Sequence, residues 1–371
     1  MDPPRPEAIA AVMACQRAGV QVKMITGDHV ATATATAIAR QIGLNGAAGT
    51  VADSFAINGH ELSNISDHGL IEIAERAVVF ARVAPEQKLR LVEALQANGH
   101  VVAMTGDGVN DAPALKQANI GIAMGAGGTE VAKEAADMVL VDDNFATIEA
   151  AIEEGRAVFD NLVKFITWTL PTNVGEGLVV LVAVFFGLSL PITPIQILWI
   201  NLTTAVLLGL MLAFEAKEPG IMARSPLRPE MPVLTHELGV RIGIVCLMLL
   251  LGAFGLFEWA MLQGKSVEIA RTLAVNMFVF GEMFYLFNCR SLRYSMFRLG
   301  LFSNHWLLVG VVTMTLLQIF FTHSSTMNHL FGSAPLTPVE WVLILGGGLI
   351  IYCVVGTEKW LRHRADDKKG S

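Results

Sequence analysis

Asp107 and Asp111 stand four residues apart in "MTGDGVNDAPAL", around a Gly-Val-Asn hinge, and the apolar run "HVVAM" leads into them. Two carboxylates at the end of a buried strand, beside glycines, suit a Mg²⁺-phosphate site. Mg²⁺ takes hard oxygen ligands and is usually held by one or two carboxylates together with phosphate. Glycine lets the backbone come close to an anion. Two other loops carry comparable groups: "TGD" at 26–28, and the segment holding Arg82 and Lys88. Singly these are weak, because Thr-Gly-Asp also caps ordinary helices and a lone lysine is mostly a solvated one. Their succession after apolar runs is the stronger signal.

Those loops need elements to hold them. "RPEAIAAVMACQRAG" reads as an amphipathic helix with a glycine stop, "VQVKMI" as a strand, and "DHVATATATAIARQIG" as a helix opened by Asp28. "RAVVFARV" is a strand, "APEQKLRLVEALQANG" a helix, "HVVAMTG" a strand and "DAPALKQAN" a helix. "IGIAMG" and "DMVLVD" are short apolar runs of the kind found in buried parallel strands. Such alternation predicts a doubly wound α/β sheet. Ligands of that architecture bind beyond the carboxyl ends of the strands, where all three loaded loops fall.

Composition separates this part from the rest. Hydrophobic residues make up 53% of the chain and charged residues 16%, against about a quarter charged in soluble proteins. Up to Asp160 there are 21 acidic and 11 basic residues, and after it 12 and 15. The first part reads as an acidic soluble domain, and nucleic acid is excluded as a partner. The four cysteines are scattered without a CxxC, so neither a zinc site nor a disulfide framework is indicated.

After Asn161, apolar stretches of about the length that crosses a lipid bilayer recur, at 165–187, 195–214, 240–262, 269–288, 305–323 and 339–357. If 1–160 face the cytoplasm, the loops on that side and the tail carry Lys217, Arg224, Arg228, Arg290, Arg293, Arg298, Lys359, Arg362, Arg364, Lys368 and Lys369. The opposite loops carry only Lys265. That asymmetry places the soluble part and the C-terminus in the cytoplasm.

Polar residues interrupt the spans. Asn173 and Glu176 share "PTNVGEG", Asn201, Thr203 and Thr204 share "WINLTTA", and Glu282 sits in "VFGEMF". Intramembrane carboxylates are costly and mostly face a bundle interior or an ion path. The alternative for Asn and Thr is interhelical hydrogen bonding. For Glu282 it is packing of Phe280, Phe284 and Tyr285 around a protonated acid. Pro171 adds to the case for Glu176, since a proline frees backbone carbonyls that can coordinate a cation.

The segments "DPPRPEA", "VKMITGDH", "VFARVAPEQKLRLVEALQ", "MTGDGVNDAPALKQANIGIAMG", "NVGEG", "QILWINLTT" and "EPGIM", in this order, closely resemble the C-terminal part of P-type cation-transporting ATPases. The resemblance is to the branch of calcium and sodium-potassium pumps. It implies that residues 1–145 are the later part of a haloacid-dehalogenase-like (Rossmann-like) α/β phosphorylation domain. It further implies a stalk helix at 146–164, an all-α bundle of six transmembrane helices at 165–357 and a cytoplasmic tail at 358–371. By the same resemblance Asp107 holds Mg²⁺ with Asp111 in support, and Thr26, Gly27 and Asn110 contact the phosphoryl group. Lys88 neutralises its charge, and Asp28 and Arg82 lie near ATP. Asn173, Glu176, Asn201, Thr204 and Glu282 match positions that hold the transported cation.

Two departures matter. The family's nucleophilic aspartate lies in DKTGT, and these 371 residues contain no such run. The expectation is a fragment that is inactive alone and needs the N-terminal half of the pump. Ala205 also stands where calcium and sodium-potassium pumps carry an aspartate shared between their ion sites. Binding of two Ca²⁺ is therefore in question, while one Ca²⁺, another divalent ion, a monovalent ion or H⁺ stay open. A membrane-anchored phosphatase of the same α/β superfamily and a non-catalytic regulatory or assembly partner are the competing readings.

Overall fold

The computed structural model describes residues 4–27, 32–44, 56–227, 235–292, 296, 300 and 302–369, with 363 and 365–369 described for the backbone alone. Asp28, Arg228, Arg293 and Arg298 lie outside the described residues. The chain divides into two compact units, Met1–Gly155 with Pro219–Met231, and Arg156–Glu218 with Pro232–Ser371.

In the first unit the order is α1 (Pro6–Arg17), β1 (Met24–Thr26), α2 (Thr32–Gln41), β2 (Ala56–Asn58), α3 (Gly59–Ser63), α4 (Asp67–Arg76), β3 (Val79–Ala81) and α5 (Pro85–Ala97). There follow β4 (Ala103–Gly106), α6 (Ala112–Gln117), β5 (Ile120–Met124), α7 (Glu130–Ala135) and β6 (Met138–Leu140). Every described strand pairing is parallel. The strands form two sheets, β1-β3-β2 and β4-β5-β6, in place of the single sheet that the alternation suggests. Thus β1 and β4 each keep one edge without a strand partner among the described residues. Ile25 of β1 packs into both the core under β3 and the core that contains Met104 of β4, so the two sheets share apolar contacts.

The segment 56–76 forms β2, α3 and α4, which the apolar pattern does not announce. Their signals are local. Asn58 accepts from the Glu61 amide at 2.9 Å while the Glu61 carboxylate takes the Asn58 amide at 3.2 Å, a reciprocal cap. Ser66 caps α4 by accepting from the Gly69 amide. Gln87 of α5 then donates to the Gly59 carbonyl at 2.7 Å and to Ser63 at 2.8 Å, fixing the start of α5 on α3.

The second unit is helical. α8 (Phe145–Phe186) enters it from residues of the first unit and carries Pro171 inside it. Next come α9 (Pro194–Thr204), a wide π-helical turn at Ala205–Gly209 and a tight helical turn at Leu210–Phe214. α10 (His236–Leu262), α11 (Val267–Cys289), α12 (His305–His323), the short α13 (Ser325–Phe331) and α14 (Pro338–Lys369) complete it. Among the described residues, six helices are long and apolar enough to cross a membrane, as expected. In α11 the apolar stretch is 83% buried, against 28–33% in the other five, so α11 is the axis of the bundle.

Charges are buried at one end of that bundle. Arg290 (0% exposed) grips Glu215 with Nη2 at 2.7 Å and Nε at 3.1 Å from Oε1. Asn304 donates to the other Glu215 oxygen at 3.0 Å, and Ser303 takes a second bond from Nη2 at 2.6 Å. Removing one partner of such a pair strands a buried charge, at a cost of about 3–5 kcal/mol. Arg290→Ala and Glu215→Ala are each expected to lower the melting temperature in detergent sharply. The double substitution should cost clearly less than their sum, and additive losses would show that the pair is not energetically coupled.

Candidate functional site

The first unit collects its chemistry around one lysine. Lys88 projects from the first turn of α5 and its Nζ lies 2.6 Å from Asp111 Oδ1. A β-carbon built on Gly27 would lie 3.7 Å from the same Nζ, which places the end of β1 beside the end of β4. The other Asp111 oxygen accepts from the backbone amides of Asp107 (3.3 Å) and Gly108 (3.2 Å). Asp111 is buried, whereas Asp107 is exposed and its carboxylate takes no bond from any described residue. The two acids that look equivalent in sequence therefore differ. One is enclosed by three donors; the other is open.

Gly106 makes the enclosure possible. A β-carbon there would sit 2.5 Å from Asp111 Cβ, so any side chain would push Asp111 away from Lys88. Past Asp107 the chain is tied to the loop after β5, where the Thr129 amide donates to the Asp107 carbonyl at 2.8 Å. That loop is closed by Asp143, whose carboxylate accepts from the amides of Gly125 (2.7 Å), Ala126 (3.1 Å) and Gly127 (2.6 Å). Desolvation works against the charge of Asp143, yet these amides hold its carboxyl below the ordinary value. Sequence pattern alone does not single out Thr129 or Asp143; the glycines of "GAGGT" are the cue that a carboxylate could be seated there.

Thr26 is half-buried at the end of β1, and Gly27, Arg82 and Asn110 are exposed. Arg82 adopts a left-handed backbone (φ 57°) directly after β3, which bends the chain into the turn ahead of Lys88. Asp28 lies outside the described residues. Among the described residues no group of three or more His, Cys, Asp or Glu forms a metal cage. The donor set fits Mg²⁺ nonetheless, because that ion keeps waters and phosphate oxygens and needs only one or two carboxylates. Asp107 is available for it as placed; Asp111 would first have to release Lys88.

The second unit holds the other candidate. Asn173, Glu176, Gly177, Val180, Ile197 and Asn201 line an open cavity of about 420 Å³. Glu176 is buried; its Oε2 takes a short bond from the Asn201 amide nitrogen, and its Oε1 has no partner. Glu282 is buried as well, with Oε2 unpartnered. A buried acceptor without a donor costs about 1–3 kcal/mol, so two such oxygens in an apolar bundle call for a ligand. Asn201 is a donor here, and turning its amide over would present the oxygen instead.

Thr204 ends α9, and Ala205 opens the π-helical turn and is exposed. The turn is closely packed by its neighbours. A β-carbon on Gly209 would lie 2.7 Å from the Trp168 ring, and one on Gly310 would meet the Leu207 carbonyl at 1.9 Å. π-helical turns of this kind often accompany functional sites.

One expectation is corrected. The carbonyl that Pro171 leaves without an amide partner is that of Thr167, four residues earlier. It does not face a cation, because the Tyr285 hydroxyl donates to it at 2.8 Å. The aromatic residues around Glu282 also divide their roles. Phe280 packs edge-on to Trp341, Phe284 lies against Gly348, and Tyr285 makes that bond.

Comparison with known proteins bears on the family of the chain. Residues 189–361 match the family described as cation transporting ATPase, C-terminus. Residues 1–119 match the haloacid dehalogenase-like hydrolases, and a second model of that description matches 88–152. A probable cation-transporting ATPase F of Mycobacterium tuberculosis is 57% identical over 364 residues, covering 97% of this chain and 39% of the relative. A calcium-transporting ATPase of Bacillus subtilis is 42% identical over 349 residues, covering 93% of this chain and 38% of the relative. The chain thus spans less than two fifths of the length of these relatives. It is a multi-pass membrane protein with a haloacid-dehalogenase-like part, and it belongs to the P-type cation-transporting ATPase family.

Proposed function

We propose that this chain supplies the Mg²⁺ site and the cation site of an ATP-driven pump that works through an aspartyl-phosphate cycle. The observation that carries the reading is the pair of buried carboxylates, Glu176 and Glu282, each with an unpartnered oxygen inside a membrane bundle. A membrane-anchored phosphatase would have no use for them. Asp107 is the Mg²⁺ ligand, with Asp111 holding Lys88 in place beside the transferring phosphoryl group. Thr26, Gly27 and Asn110 bind that group, and Arg82 and Asp28 stand near ATP. Bound there, Mg²⁺ would offset the negative charge of the phosphoryl oxygens. Lys88 contributes the same kind of fixed stabilisation from the protein side.

The phosphorylated aspartate comes from a segment outside these 371 residues. The open edges of β1 and β4 suit it, since an unpaired strand edge readily accepts a further strand. A parallel strand laid there would end beside Lys88 and Asp107. Residues 1–145 would then be the later part of the phosphorylation domain, 146–164 the stalk, 165–357 the transport domain and 358–371 the tail, with 1–145 and the C-terminus cytoplasmic. The cargo is Ca²⁺ or a related cation, in keeping with the name of the Bacillus subtilis relative. Ala205 limits it to one divalent ion per cycle.

The test is phosphorylation by γ-labelled ATP followed by acid quenching. The 371-residue chain alone should take up no hydroxylamine-sensitive label, because bound Mg²⁺ provides no acyl-phosphate acceptor. Joined to the N-terminal portion of a longer relative, it should. Stable label on the chain alone, or none in the joined pump, would overturn the reading.

A further inference from the structure

Pro171 stands in the middle of a membrane-spanning stretch of α8, and a proline cannot give the amide hydrogen that bonds the carbonyl four residues back. The Thr167 carbonyl is the one left over. It is satisfied from another helix, through the hydroxyl of Tyr285 in α11 at 2.8 Å. Thr167 is 1% exposed and Tyr285 0%, so water plays no part in this bond. One residue further along α8, Trp168 donates its ring N–H to the Glu282 carbonyl at 3.1 Å. The two helices are therefore clasped by two bonds of opposite sense, each at or next to a group that matters. The Pro171 carbonyl is occupied too, by the Cys246 thiol of α10 at 3.1 Å.

We propose that Tyr285 is a positioning residue for the cation site. Its hydroxyl supplies the bond that Pro171 removes, ties α8 to α11 at that point, and so sets where Asn173 and Glu176 stand relative to Glu282. The inference rests on the reading that Glu176 and Glu282 hold the transported cation. Spacing supports it. Glu282 precedes Tyr285 by three residues, one face of one helix, and Asn173 and Glu176 follow Thr167 by six and nine residues. A bond between Thr167 and Tyr285 consequently ties the two carboxylate-bearing helices together within two or three turns of both acids. Phenylalanine would fill the same apolar space, so only the O–H distinguishes tyrosine here, and a buried O–H is retained where it has an acceptor.

The 371-residue chain in detergent tests this with a cycle of substitutions. Pro171→Ala restores an amide that can bond the Thr167 carbonyl within α8, and the tyrosine hydroxyl then has no vacant acceptor to serve. With Pro171 present, Tyr285→Phe should speed amide exchange over residues 168–176 about tenfold and raise by about tenfold the Ca²⁺ concentration needed for half-maximal thermal stabilisation. In the Pro171→Ala background the same substitution should change either quantity by less than about twofold. Equal losses in both backgrounds would mean that Tyr285 acts by packing, and no loss with Pro171 present would mean that the hydroxyl positions nothing. Either result overturns the proposal. If Ca²⁺ fails to stabilise the unsubstituted chain, the cation reading fails by itself, and the exchange rates still decide whether Tyr285 holds α8.

Discussion

Asp107→Asn, in a pump joined from this chain and an N-terminal portion, is expected to lower phosphoenzyme formation about a thousandfold, the scale seen when a transition-state charge loses its fixed partner. Thermal unfolding should be unchanged. The two outcomes follow from the same observation, that the Asp107 carboxylate is exposed and takes no bond from any described residue. The amide keeps the shape and gives up the charge that Mg²⁺ requires. Asp111→Asn makes an informative contrast. There the carboxylate accepts from two amides and from Lys88 at 2.6 Å, so its loss should destabilise the fold as well as the reaction. Radiolabel incorporation and a melting curve on each variant separate the two. Substantial phosphoenzyme in Asp107→Asn at saturating Mg²⁺ would show that another residue holds the metal.

Much of this division is hidden at the level of sequence. "GDGVND" gives two acids and no reason to rank them; the ranking comes from Gly106, which lets Asp111 fold back under the loop and meet Lys88. The spans, by contrast, are legible, because a run of about 20 apolar residues matches the thickness of a bilayer and exceeds what a soluble core helix needs. The segment 56–76 is not. β2 is three residues long and α3 five, too short for any periodicity, and both are held by caps and by Gln87 reaching from α5. The split into two sheets is equally invisible, since alternation of strands and helices says that parallel strands form but not which edges stay open.

Tyr285 shows the same limit inside the bundle. That Pro171 frees a carbonyl is readable from the helix rule alone, and the expectation that it faces a cation follows from looking at α8 by itself. Its partner lies 118 residues away on α11, and only the fold brings the two together. The π-helical turn at Ala205–Gly209 is a further case. It packs through Gly209 against Trp168 and through the Leu207 carbonyl against Gly310, contacts that no spacing within "NLTTAVLLG" encodes.

Glu176→Gln is expected to abolish cation-stimulated phosphorylation from ATP in the joined pump while sparing phosphorylation from inorganic phosphate, which needs no cytoplasmic cation. Gln preserves the length of the side chain and can still accept the Asn201 amide, so the ion-free packing should survive. What it removes is a full negative charge beside a cavity of about 420 Å³. We propose that a divalent cation there meets Glu176, with Asn173 and Asn201 of the cavity wall adding neutral oxygens, and that the buried Glu282 supplies the second negative charge. With one carboxylate gone, desolvating the ion is no longer compensated. Ala205 offers no acid to replace it, and it is exposed rather than turned into the bundle. On the same count one divalent ion per cycle is expected, because a second would bring two further positive charges with no carboxylate to meet them. Measuring cation bound per phosphoenzyme decides that part, with a ratio of one expected. A ratio of two, or an unaltered cation dependence in Glu176→Gln, would place the principal ligands elsewhere in the bundle.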